Sequence, residues 1–164
     1  ALSLGIEKEF RIISSKIVGK DPSEDTLFLD KGSKDGIMPG MAVITPENVA
    51  AGRVGEVFEN SSRLILLSHS KSSFDAKILK EGTMGLVRGQ GRYQASLDLI
   101  PQDSKVFPGD TVVSASLGGI FPANLLIGRV REVKANDTKS FQQAVLSLFF
   151  DARKAGLVFV IDEK

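Results

Sequence analysis

Six residues are written almost twice in this chain: Gly-Arg-Val-Gly-Glu-Val at Gly52–Val57 and Gly-Arg-Val-Arg-Glu-Val at Gly128–Val133. The echo has a context. Each word is followed by a polar stretch (FENSSR, KANDTKS) and an apolar run (LILL, AVLSL). Then comes Phe-Asp-Ala-Lys at Phe74 or Phe-Asp-Ala-Arg at Phe150, with 76 residues separating both the first and the last match. Upstream, GIMPGMAVI from Gly36 resembles KVFPGDTVV from Lys105; downstream, Gly-Leu-Val at Gly85 returns at Gly156. Five ordered matches within 164 residues point to two copies of one small unit.

Each copy reads as β structure. Turn signals such as KDPSED, KGSKDG, RGQG, FPGD and LGG recur at short intervals. The runs between them (TLFL, MAVI, RLILL, ASLDLI, TVVS, GLVFVI) are short and rich in Val, Ile, Leu and Phe. That punctuation predicts a sandwich or barrel. Val54 and Val57 stand three apart, so a regular strand would send them to opposite faces. Gly52 just before them marks a bulge or a sharp bend at a barrel corner. A unit of roughly 75 residues is small for a sandwich but closes into a barrel, which leaves no sticky edge. The expected fold is all-β, with two small β-barrels of about six strands each related by the repeat. The first module is expected over residues 15–88 and the second over 89–164, with crossing between barrels possible near Glu81–Gly91. Leu2, Ile6, Phe10 and Ile13 recur every three or four residues, which predicts a short helix over residues 1–14.

Composition removes several kinds of chemistry. The 21 basic and 20 acidic residues give a net charge of +1 with no basic stripe, so a nucleic-acid partner is not expected. Cysteine is absent, which excludes disulfides, thiolate catalysis and cysteine metal sites. The longest apolar runs, Leu64–Leu67 and Leu157–Ile161, are too short to cross a bilayer. The one histidine, His69, lies in the polar LLSHSKSS, and no ligand cluster or phosphate-cradling frame accompanies it, so neither metal nor cofactor is expected. Two β-barrels are also the layout of chymotrypsin-like proteases, and His69, then Asp98 or Asp103, then Ser116 follow that family's chain order. However, Gly109-Asp110 runs into TVVSASLGG, which places the serine outside the loop that would form an oxyanion hole. No catalytic residue is expected.

Longer motifs carry a resemblance. Asp21-Pro22, LDKGSKDGIMPGMAV from Leu29, Gly52-Arg53-Val54, GLVRG from Gly85, PGDTVVS from Pro108, and Phe121-Pro122 with Ile127–Val130 occur in one order. Together they resemble the extracytoplasmic domain of the rod shape-determining MreC family. The resemblance implies a cytoplasmic stub, one membrane-spanning helix and a coiled coil ahead of two β-barrels, at the outer face of the cytoplasmic membrane. It further implies a homodimer, a class B penicillin-binding transpeptidase as partner, and MreD, MreB and the RodA glycosyltransferase as complex members. The segment ALSLGIEKEF would then be the tail of the dimerisation helix, through Leu2, Ile6 and Phe10, within a longer protein.

A scaffold needs apolar anchors rather than a reactive group. Ile120, Phe121 and Leu125 in LGGIFPANLLIG, together with Phe107 and the sole tyrosine, Tyr93, are apolar residues set among turn signals, and are the candidate partner contacts. Phe74 and Phe150 recur at matching places in the repeat and read as core. A chymotrypsin-like hydrolase and a glycan- or peptide-binding module are the alternatives to a scaffold.

Overall fold

From Phe10 onward the chain is organised by alternation. The computed structural model describes residues 10–115, 121–134 and 140–163. Its strands are β1 (Phe10–Asp21), β2 (Thr26–Leu29), β3 (Ala42–Ile44), β4 (Ala50–Val57), β5 (Ser62–Leu66) and β6 (Ser73–Ile78). They continue as β7 (Met84–Gly91), β8 (Gln94–Pro101), β9 (Thr111–Ser114), β10 (Leu126–Lys134), β11 (Phe141–Leu148) and β12 (Leu157–Glu163). These strands close two six-stranded barrels, ordered β1-β12-β3-β4-β5-β2 and β10-β11-β8-β7-β6-β9. All named pairs are antiparallel.

The two orders coincide when β1–β6 is laid on β7–β12. The sixth strand of each copy, however, sits in the other copy's barrel. β6 pairs with β7 and β9, and β12 pairs with β1 and β3. The first barrel therefore takes strands from both ends of the chain, and the second occupies the middle. The division expected between residues 88 and 89 falls inside β7, and each barrel takes a strand from across it.

The repeated word now has a structural meaning. At Gly52 the ladder to β3 slips by one residue, and at Gly128 the ladder to β9 slips in the same way. A second slip follows Val54 against β5 and Val130 against β11. These bulges turn the valines three apart toward one side, so Val54 and Val130 are buried and Val57 and Val133 pack against the same cores. The preceding Pro-Gly words serve equivalent turns. Gly40 N–H donates to the Val54 carbonyl at 2.8 Å and Gly109 N–H to that of Val130 at 2.7 Å, both glycines having φ near +90° (90° and 95°). The Phe-Asp-Ala and Gly-Leu-Val matches do not share this equivalence. Phe74 lies in β6, whereas Phe150 lies in the connection before β12, half-buried.

Two apolar clusters result. Leu27, Leu29, Val43, Val54, Leu64, Val158 and Val160 fill the first barrel. The second cluster joins the interior of the second barrel, including Phe74, Val87, Leu97 and Val112, to Phe10, Ala42, Ile44 and Ile161 of the first. One core thus spans both barrels. Phe10 is the first residue of β1, opposite Glu163, and is buried in that shared cluster, so the helix expected through residue 14 does not include it. Phe10 and Ile12 alternate as strand residues, and the helical reading skipped Ile12. Leu2 and Ile6 lie outside the described residues.

Asp30 secures the β1–β2 pairing beside the bulge at Val18. Its Oδ1 accepts the Lys16 N–H and the Ser15 hydroxyl, both at 2.9 Å. The Lys16 N–H is the main cause holding its carboxyl below the ordinary value of 3.8; burial opposes this, and the Ser15 hydroxyl and Lys31 charge add to it. A lowered native pKa stabilises the fold fully above the unfolded value, and the gain is lost as pH falls through the native value. Asp30→Asn should therefore reduce stability by about 1 kcal/mol at neutral pH, and chemical denaturation should show that difference vanishing in strong acid. A Cβ at Gly52 would sit 2.0 Å from the Ile65 carbonyl oxygen, and one at Gly128 2.5 Å from that of Ser147. Gly52→Ala and Gly128→Ala should each cost about 2–4 kcal/mol, against about 1 kcal/mol for Gly82→Ala, where a φ of 72° strains a side chain but the surroundings are open.

Candidate functional site

Closed barrels leave no strand edge to pair with, so a partner must grip side chains or loops. Among the described residues, nine large apolar side chains are exposed, and five of them belong to the second barrel: Leu79, Met84, Leu99, Phe107 and Phe141. Antiparallel pairing brings all five to the end of that barrel away from the first. Leu79 follows β6, Met84 opens β7, Leu99 nears the end of β8, Phe107 precedes β9 and Phe141 opens β11. Backbone bonds tie this end together, with Leu79 N–H donating to Thr111 O and Gln102 N–H to Ser140 O, both at 2.9 Å. The result is an apolar rim on a hydrogen-bonded wall.

The rim is held by local devices. Phe107 N–H donates to Asp110 Oδ2 at 2.9 Å, which fixes the Phe-Pro-Gly-Asp turn and leaves the ring 56% exposed. Leu99 sits at φ 58°, an unfavourable value for leucine, within an extra residue of β8 opposite β11. The neighbouring Asp98 Oδ1 accepts the Ser96 hydroxyl at 2.7 Å and Gln143 Nε2 at 2.8 Å, while Arg88 lies 3.7 Å from Oδ2. This polar knot holds the bulge that leaves Leu99 exposed.

Of the sequence-derived contacts that fall among the described residues, only Phe107 lies on the rim. Leu125 is 1% and Phe121 6% exposed, and Phe121 meets Phe74 edge-on with ring centroids 5.0 Å apart. Both are core residues of the shared cluster, because residues 121–125 pack where the two barrels meet. Tyr93 is half-buried and packs against the core of the first barrel. Ile120 lies outside the described residues. Leu79, Met84, Leu99 and Phe141 were missed because each sits in an otherwise ordinary strand pattern. Their exposure depends on which end of the barrel they reach.

Among the described residues, His69 makes no side-chain hydrogen bond to Asp98 or Asp103. His69 Nδ1 accepts the Lys71 N–H at 3.0 Å, a local turn contact. Asp98 is bound into the β8–β11 knot, and Ser116 lies outside the described residues. Among the described residues no group of His, Asp and Glu could hold a metal ion, and no helix is long and apolar enough to cross a membrane.

Comparisons with known proteins agree with this architecture. Residues 13–162 match the family described as "Rod shape-determining protein MreC, barrel core". The chain is 32% identical over 146 residues to the cell shape-determining protein MreC of Listeria monocytogenes, covering 85% of this chain and 49% of that protein. It thus spans about half the length of that relative, and less of others. A solved structure of the Listeria MreC superposes with a TM-score of 0.84 at 30% identity, covering 97% of this chain and 80% of that one. A solved complex between penicillin-binding protein PBP2 and MreC from Helicobacter pylori matches with a TM-score of 0.74 at 18% identity, covering 95% and 99%, which shows a shared fold. With the family match running through both barrels, the chain belongs to the rod shape-determining MreC family.

Proposed function

We propose that this chain is the extracytoplasmic part of a non-enzymatic scaffold that binds and activates a peptidoglycan synthase at the outer face of the cytoplasmic membrane. The partner is a class B penicillin-binding transpeptidase, and the apolar rim of the second barrel is the surface that grips it. The observation carrying this reading is the fold shared with an MreC solved in complex with PBP2. Exposed aromatic and aliphatic side chains on a closed barrel support it, since such anchors dominate protein interfaces. A scaffold of this kind acts by differential affinity: it favours the active form of the synthase by binding that form more tightly. Within a longer protein of this kind, a membrane anchor and a dimer contact would hold the scaffold in place, and MreD, MreB and RodA would join the assembly.

The test is site-specific photocrosslinking of the full-length, membrane-anchored protein in cells. A crosslinker at Leu79 or Met84 should capture a penicillin-binding transpeptidase, and Phe107→Glu should weaken that capture by about tenfold. A crosslinker at Val18, exposed on the first barrel, should capture much less. Capture from Val18 alone would refute the rim assignment, and capture of no cell-wall synthase from any position would refute the scaffold reading.

A further inference from the structure

The β7–β8 hairpin turns through Arg92-Tyr93, a two-residue loop in which both residues have positive φ, 52° and 62°. Such a turn is ordinarily built from Asn-Gly, because side chains resist that backbone region. Here the adjacent Gly91 relieves one position, with φ 78°, and the other two remain unfavourable. The tip nonetheless reaches into the first barrel. There the carboxylate of Asp25, a residue only 4% exposed, accepts the Arg92 N–H on Oδ1 at 3.0 Å and the Tyr93 N–H on Oδ2 at 2.9 Å. Asp25 itself is fixed, since its backbone carbonyl accepts the Leu66 N–H at 3.1 Å and its own φ is 49°.

Alongside, Gly91 N–H donates to Ser68 O at 2.7 Å, and the Tyr93 ring lines a small cavity with Leu66, Leu67, Phe150 and Ala152. This contact is distinct from the shared apolar cluster and from the Leu126 N–H to Asn48 O bond at 2.9 Å, which also joins the barrels. A buried carboxylate facing two converging backbone N–H groups, on a turn whose local preference opposes its docked shape, is a latch.

We propose that Asp25 is a positioning residue that sets the angle between the two barrels by gripping the Arg92-Tyr93 turn. With the grip removed, the turn relaxes toward ordinary backbone, and the second barrel rocks about the remaining Gly91–Ser68, Asn48–Leu126 and apolar contacts. The rim is thereby presented at a defined angle to the first barrel. That consequence for partner binding rests on the scaffold reading above; the geometry of the latch does not.

The chain has no cysteine, so spin labels placed at Lys34→Cys on the first barrel and Lys80→Cys on the second report one inter-barrel distance. The unaltered protein should give a narrow distribution, Asp25→Ala one at least twice as wide, and Asp25→Asn, which keeps one oxygen acceptor, an intermediate width. Val54→Ala, a cavity in the first core, should lower Tm without widening the distribution. Amide exchange at Arg92 and Tyr93 should accelerate at least tenfold in Asp25→Asn while that of Leu97 holds, and this readout carries the test if the alanine variant does not fold. An unchanged distance distribution and unchanged exchange in Asp25→Asn, or equal widening by Val54→Ala, would overturn the proposal. Loss of transpeptidase capture in Asp25→Asn together with a widened distribution would extend the latch to partner binding. A widened distribution with capture intact would leave the latch standing and detach it from the scaffold reading.

Discussion

Barrel closure is the constraint on which the rest depends. A sheet that curls must satisfy the backbone groups of its last strand, and here each barrel is completed by a strand from the other copy of the repeat. The first barrel cannot close until β12, at the far end of the chain, arrives between β1 and β3. Two connections therefore run between the barrels, from β5 to β6 and from β11 to β12. Asp151 shapes the second of these: its Oδ1 accepts the Arg153 N–H at 2.9 Å, which together with the Arg153 charge keeps its carboxyl below the usual range. Exchange of strands makes a pair of small barrels behave as one body.

That body accounts for a division of labour between the barrel ends. The inner end of the second barrel is consumed by packing: Phe121, Leu125 and Ile127 join Ala42, Ile44 and Ala50 in one cluster, and the Arg92-Tyr93 turn is held by Asp25. At the outer end, among the described residues, Leu79, Met84, Leu99, Phe107 and Phe141 stay exposed. A hydrogen-bonded wall presenting anchors that need not be ordered on binding loses less entropy than a flexible loop would. This suits the scaffold role proposed above for a member of the MreC family.

Much of the architecture was legible before any fold was in hand. Short apolar runs between turn signals read correctly as strands, and the repeated Gly-Arg-Val word correctly signalled a bulge, because a glycine followed by valines three apart has no other way to bury both. Phe10 was misread because four apolar residues at helical spacing also fit a strand once Ile12 is counted. Phe121 and Leu125 were read as contacts because turn residues surround them, yet the segment they occupy lies between barrels, where turn chemistry and burial coincide.

By itself the sequence determined the β class, the duplication and the bulge at the repeated Gly-Arg-Val word, since these follow from local pattern and from what glycine permits. Tertiary structure decided which barrel receives β6 and β12, at which end of the second barrel the exposed apolar side chains gather, and that Arg92 and Tyr93 adopt a glycine-like turn. The reason is that alternation specifies the face of a strand but not its neighbour. Backbone ladders are blind to side-chain identity, and only closure of the whole sheet selects the partner.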